Sequence, residues 1–129
     1  MYAAYTGSAT HREAAEAALG VYGRLADHAR FAGWGLAVAE ALVDGPREVA
    51  VVGPAGDPAT RAMHQAALRG TAPGAAVVLG DPDAAGGEDT VPLLADRPLV
   101  GGRPTAYVCR HFVCAAPTTD VDVLAAALR

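Results

Sequence analysis

Apolar residues recur at three- and four-residue steps through the first 45 positions and then gather into short unbroken runs, so the period changes partway along the chain. Met1, Tyr2, Ala3, Ala4 and Tyr5 read as the tail of an apolar helix, ended near Gly7, where glycine tolerates the left-handed cap. Thr10 and Glu13 have capping-box spacing, in which the hydroxyl satisfies an orphan amide and the carboxylate reaches back to the cap. A helix is therefore expected from about residue 11 to about 29. Its stripe is Ala14, Ala18, Val21, Tyr22 and Leu25, interrupted near the end by His28. A second stripe of Trp34, Val38, Ala41 and Leu42 predicts a helix over about 31 to 43, closed by Asp44, Gly45 and Pro46. The short connection makes the two helices antiparallel neighbours, and Trp34, flanked by Gly33 and Gly35, is expected in their core.

After Pro46 the run Glu48, Val49, Ala50, Val51, Val52 reads as a buried strand. Asp57 followed by Pro58 is an N-cap with proline at the first helical position, so a helix is expected over about 58 to 69, ending at Gly70. Ala75 to Gly80 repeats the strand pattern. Strand, helix and strand make a βαβ crossover, which requires a parallel pair. Residues 81 to 90 are polar and glycine-rich, a connection without core-forming side chains that is expected to be mobile. One helical turn is predicted near Pro92, and Thr105 to Cys109 is a third strand, with a possible hairpin across Gly101 and Gly102. Thr119 and Asp122 imitate a capping box ahead of a terminal helix carrying Val123, Leu124, Ala127 and Leu128. The expected fold is α/β: a small parallel or mixed sheet of about three strands with flanking helices, preceded by an antiparallel helix pair. Pro46 is the expected boundary between residues 1–45 and 46–129.

Composition narrows the function classes. A chain of 129 residues with a net charge of −4 offers no basic footprint for nucleic acid and no polybasic membrane patch. Ile, Lys and Asn are absent and about half of the hydrophobic content is alanine, a skew that follows codon composition. There is no apolar run of membrane-spanning length and no signal-peptide pattern, so a cytoplasmic protein is expected. No cofactor is implied.

The residues that could carry chemistry are few. Val52, Gly53, Pro54, Ala55, Gly56 and Asp57 form a strand-to-helix turn of the kind that binds phosphates. Gly53 and Gly56 are therefore ligand candidates, against the plainer reading of a structural turn in which Asp57 repels an anion. Cys109, His111 and Cys114 lie within six residues. In one continuous strand the two Cα atoms of the cysteines would stand about 16 Å apart, so a bridge demands a turn near Arg110 or His111. Three ligands with this spacing are too few for a structural zinc. Buried thiols are the favoured reading in a reducing compartment, with a redox role for Cys109 and Cys114 and a ligand role for His111 as alternatives. Asp81, Asp83, Gly86 and Asp89 imitate part of a calcium loop, but Ala85 and Pro92 occupy positions that need oxygen ligands. No serine triad or carboxylate pair can be argued.

From Pro92 to Asp120, with Tyr107, Cys109, Cys114 and Pro117 as its fixed points, the sequence resembles the carboxyl end of the thioredoxin-domain-containing proteins related to spermatogenesis-associated protein 20. Pro46 to Gly53 and the Trp-bearing helix are similar too, so the likeness covers essentially the whole chain. It implies a C-terminal portion of a protein that carries a thioredoxin-like domain, then an (α/α)6 toroid like those of six-hairpin glycosidases, then an α/β tail, with residues 1–45 as the last helices of the toroid and 46–129 as the small α/β C-terminal domain. The resemblance makes those upstream domains the expected partners, alongside a homo-oligomer. It also implies a non-catalytic accessory role, with a dithiol contribution to a larger, carbohydrate-related enzyme as the alternative.

Overall fold

The computed structural model describes residues 1–82 and 91–129, and within them every side chain except those of Tyr22, Arg24, Leu25 and Ala26. It is a mixed α/β structure. Three helices come first: α1 (Tyr2–Thr6), α2 (Ala9–Tyr22) and α3 (Ala29–Asp44), with a 3₁₀ segment, Gly23–His28, between the second and third. Then follow β1 (Glu48–Val52), α4 (Pro58–Leu68), β2 (Ala76–Gly80), a 3₁₀ turn at Pro92–Leu94, β3 (Thr105–Arg110), β4 (Val113–Cys114) and α5 (Val121–Ala127).

Among the described residues the sheet has four strands in the order β2-β1-β3-β4, one more than the sequence pattern suggests. β1 and β2 run parallel, as the βαβ unit requires, and β3 pairs antiparallel with both β1 and β4. All five residues of β1 are buried, because the strand is covered on both faces. On one face Val49 and Val51 pack with Met63 and Ala67 of α4 and with Leu124 and Leu128 at the C-terminal end. On the other, Ala50 and Val52 meet Leu93, Tyr107 and Cys109, with Tyr5 of α1 packed alongside. The Tyr5 hydroxyl donates to the Val77 carbonyl at 3.3 Å, which fastens α1 to β2.

Local signals set the helix ends, with shifts of one or two residues. Asp57 caps α4 by accepting from Ala59 N at 2.8 Å, and Gly7 closes α1 at φ 70°. The α2 cap is Ser8, not Thr10: its hydroxyl accepts from His11 N and lies 2.7 Å from His11 Nδ1. The α5 cap is Asp120 in place of Thr119, because its carboxylate reaches both Asp122 N and Val123 N.

The larger corrections concern the helical segment. The single helix expected over 11 to 29 breaks at Tyr22 into the tighter 3₁₀ segment, next to Gly23. Its predicted stripe is mostly uncovered. Ala14, Ala18 and Val21 are exposed, while Arg12, Ala15 and Leu19 are partly covered; the side chains of Tyr22 and Leu25 lie outside the described residues. Trp34, expected in the core, is 90% exposed. Of the predicted α3 stripe Ala41 is buried and Leu42 partly covered; the other buried positions of α3, Ala32 and Gly35, are small residues that let neighbouring segments approach closely, while Phe31, Trp34, Val38 and Val43 stay exposed.

Leu124→Ala removes a fully buried side chain and is expected to destabilise the fold by about 2–5 kcal/mol. Val123→Ala, one residue earlier and exposed, is expected to stay within about 0.5 kcal/mol. Urea unfolding of the two variants checks the difference.

Candidate functional site

The chemistry-bearing residues meet at the end of the β3–β4 hairpin. Arg110 pairs with Val113 and Cys109 with Cys114, so the connection is the two residues His111 and Phe112. Both have positive φ, 50° and 62°, the geometry that matches strand twist in a tight hairpin but that glycine or asparagine usually supplies. A bulky residue such as Phe112 adopts it only when its surroundings hold it there.

Several contacts do so. Glu48, fully buried at the start of β1, accepts from Phe112 N through Oε2 at 2.6 Å. The Phe112 ring packs over Gly7, where an added Cβ would sit 3.3 Å from its Cζ. The His111 ring touches Arg12 of α2 and lies against Gly45, where an added Cβ would be 3.0 Å from Nε2. Arg110 donates to Asp44 at 3.3 Å, and Asp44 also receives Arg47 at 2.7 Å. Those two guanidiniums, the Arg47 hydrogen bond foremost, hold the Asp44 carboxyl below its usual value.

The turn brings Cys109 and Cys114 opposite each other with their Cα atoms 3.8 Å apart, and the sulfurs are joined in a disulfide. This corrects the reading of two separate thiols. Residues five apart are distant in a continuous strand, but a two-residue turn makes them a facing pair. Ala115 N donates to Val108 O at 3.0 Å, which places the cysteines in the closer, non-hydrogen-bonded type of antiparallel pair. Cys109 is buried and Cys114 half-buried on the edge strand.

Arg97 completes the group. Its Nη2 donates to Cys109 Sγ at 3.6 Å, its Nε donates to Leu93 O at 3.4 Å, and its guanidinium lies 5.1 Å from the centre of the Tyr107 ring. The Tyr107 hydroxyl donates to Pro98 O at 2.6 Å, and burial pushes the phenol above its ordinary value while the Arg97 charge opposes the rise. Glu48 is the cross-strand partner of Cys109, so carboxylate and disulfide occupy one row of the sheet. Glu48 and Arg97 were not singled out by the sequence reading. A glutamate opening an otherwise apolar buried strand was the available signal for the first; Arg97 had none.

The other candidates are not drawn into this group. Gly53 is a packing glycine, since a Cβ there would collide with Thr60 Oγ1 and lie 3.1 Å from Pro104 Cβ. Gly56 has open space around it, and its carbonyl accepts from Arg61 Nη1 at 2.9 Å. The helix amide at that turn is filled by the Asp57 carboxylate. His111 engages Arg12 and Gly45, while the sulfurs bond to each other. Among the described residues no cluster of three or more His, Cys, Asp or Glu side chains is placed to hold a metal ion. The calcium-like positions Asp83, Gly86 and Asp89 lie outside the described residues. A separate apolar cavity of about 530 Å³ opens among the three N-terminal helices, walled by Met1, Tyr2, Trp34, Val38, Leu42 and Pro46.

Among the described residues no helix is long and apolar enough to cross a membrane. No family model, curated protein or solved structure matches the chain.

Tyr107 makes stability fall at alkaline pH. Its folded-state value is raised, so its contribution is complete below about pH 10 and is lost as tyrosinate forms first in the unfolded chain. Tyr107→Phe is expected to cost about 1 kcal/mol at neutral pH through the lost Pro98 hydrogen bond, and to flatten the decline above about pH 10. Asp44 acts with the opposite sign: its contribution is present above about pH 3.8 and is lost on acidification, so Asp44→Asn is expected to weaken that acid limb. Urea unfolding across pH measures both.

Proposed function

We propose that the chain is a non-catalytic accessory module of a cytoplasmic protein that also carries thioredoxin-like and toroid domains, and that its helical face seats against helices of the toroid. The observation that supports this most is on α3. Phe31 and Trp34 are 89% and 90% exposed, and with Val38 they form a stripe at three- and four-residue steps beside the buried stripe. Large aromatic side chains standing together in water are the mark of a surface that a partner covers. The cavity that Trp34 lines extends the same surface, and its walls are mostly apolar, with His11 and Arg12 among them. The segment bearing Trp34 is also one that resembles the family described above. The partner chemistry is therefore an apolar helical surface, and the contribution to the whole protein is to brace or close one side of the toroid.

Offered no toroid, this face is expected to find a second copy of itself. Light scattering is expected to show self-association, and 8-anilinonaphthalene sulfonate is expected to bind and brighten. A Phe31→Ser/Trp34→Ser double variant should be monomeric and dark to the dye with little change in stability, because both side chains are exposed. A monodisperse wild-type monomer with no dye binding overturns the proposal.

A further inference from the structure

Beyond the docking role, and as a stoichiometric exchange that leaves that role intact, we propose that the Cys109–Cys114 disulfide is a thiol–disulfide exchange centre in which Cys114 receives the attacking thiolate and Cys109 departs as a thiolate held by Arg97. The two sulfurs differ first in access. Cys109 is 1% exposed on an inner strand, whereas Cys114 is half-buried on β4, the edge of the sheet. An incoming thiolate must reach the sulfur it attacks, so Cys114 is the electrophile.

They differ next in what stabilises the departing charge. Arg97 donates to Cys109 Sγ and is held there from two other sides, by the Leu93 carbonyl and the Tyr107 ring. A guanidinium beside a sulfur favours the thiolate, and a better thiolate leaves faster. The acidic residue in this row, Glu48, accepts from Phe112 N through Oε2. The hairpin also survives loss of the bond. The crosslink closes a very short loop and so constrains the unfolded chain little, while the Ala115–Val108 and Phe112–Glu48 hydrogen bonds hold the register independently.

The reductant is a dithiol. Its first thiolate forms a bond to Sγ of Cys114 as the Cys109–Cys114 bond breaks, and the bonding pair leaves on Sγ of Cys109. Its second thiolate then attacks the first sulfur and releases Cys114 as a thiolate. The external dithiol ends as a disulfide and the protein as a dithiol, an exchange of two electrons.

Two measurements on the full chain test this. The oxidised protein is mixed with glutathione, quenched in acid and mapped by peptide mass spectrometry; the mixed disulfide is expected on Cys114. In parallel, reduction by dithiothreitol is expected to be about tenfold slower in Arg97→Ala than in wild type and within about threefold in Arg97→Lys, a loss matching one charge-assisted hydrogen bond. The alkylation profile of Cys109 in reduced Arg97→Ala should move to higher pH. Glutathione on Cys109, a pair reduced only after denaturation, or equal rates in a folded Arg97→Ala variant each overturn the proposal. Should Arg97→Ala fail to fold by circular dichroism, the adduct position in wild type decides. None of these outcomes bears on the helical docking face, which is read by light scattering.

Discussion

β1 has no solvent face, and the arrangement of the other elements follows from covering it twice. Its odd-numbered valines face α4 and α5, and Ala50 and Val52 face Tyr107, Leu93 and α1. Alternation along an extended chain forces this division, and the four-residue apolar run Val49 to Val52 can satisfy it only between two layers. Glu48 is the exception in that row: Oε2 is bound by the Phe112 amide, while Oε1 is buried with no hydrogen-bond partner among the described residues, so its burial is offset only in part. The same hydrogen bond fixes the turn that faces the two cysteines.

The hairpin end is thus the joint between the sheet and the helical segment. Phe112 lies on Gly7 at the end of α1, His111 on Gly45 at the end of α3, and Arg110 on Asp44. Gly7 and Gly45 are needed on two counts: each has φ near +70° to +80°, and each is approached closely by a ring of the turn. By contrast α2 and α3 share small residues and bury little bulk, so the helical segment leans on this joint for its position. Phe31, Trp34, Val38 and Val43 of α3 remain outside, which links the thin internal packing of the helices to the exposed face proposed to meet a partner.

The sulfur pair sits at that joint, and its two cysteines are unequal for a structural reason. β3 is an inner strand and β4 an edge strand, so a single cross-strand pair places one sulfur inside and one at the rim. Arg97, brought in by the segment after the 3₁₀ turn at Pro92–Leu94, reaches only the inner one.

The positions of β1, β2, β3 and α4 were legible in the sequence, because each depends on neighbouring residues: a β-branched run, or Asp57 and Pro58 opening a helix. The parallel pairing of β1 and β2 was legible for the same reason, since a single crossover helix allows little else. The disulfide was not, because its turn lacks the glycine or asparagine that announces a tight hairpin; His111 and Phe112 take left-handed backbone under contacts made by residues sixty or more positions away. Trp34 was misplaced because periodicity shows that a helix has an apolar side but not what covers it. Burial, sulfur pairing and the approach of Arg97 are properties of surfaces meeting in space, and only the folded chain brings those surfaces together.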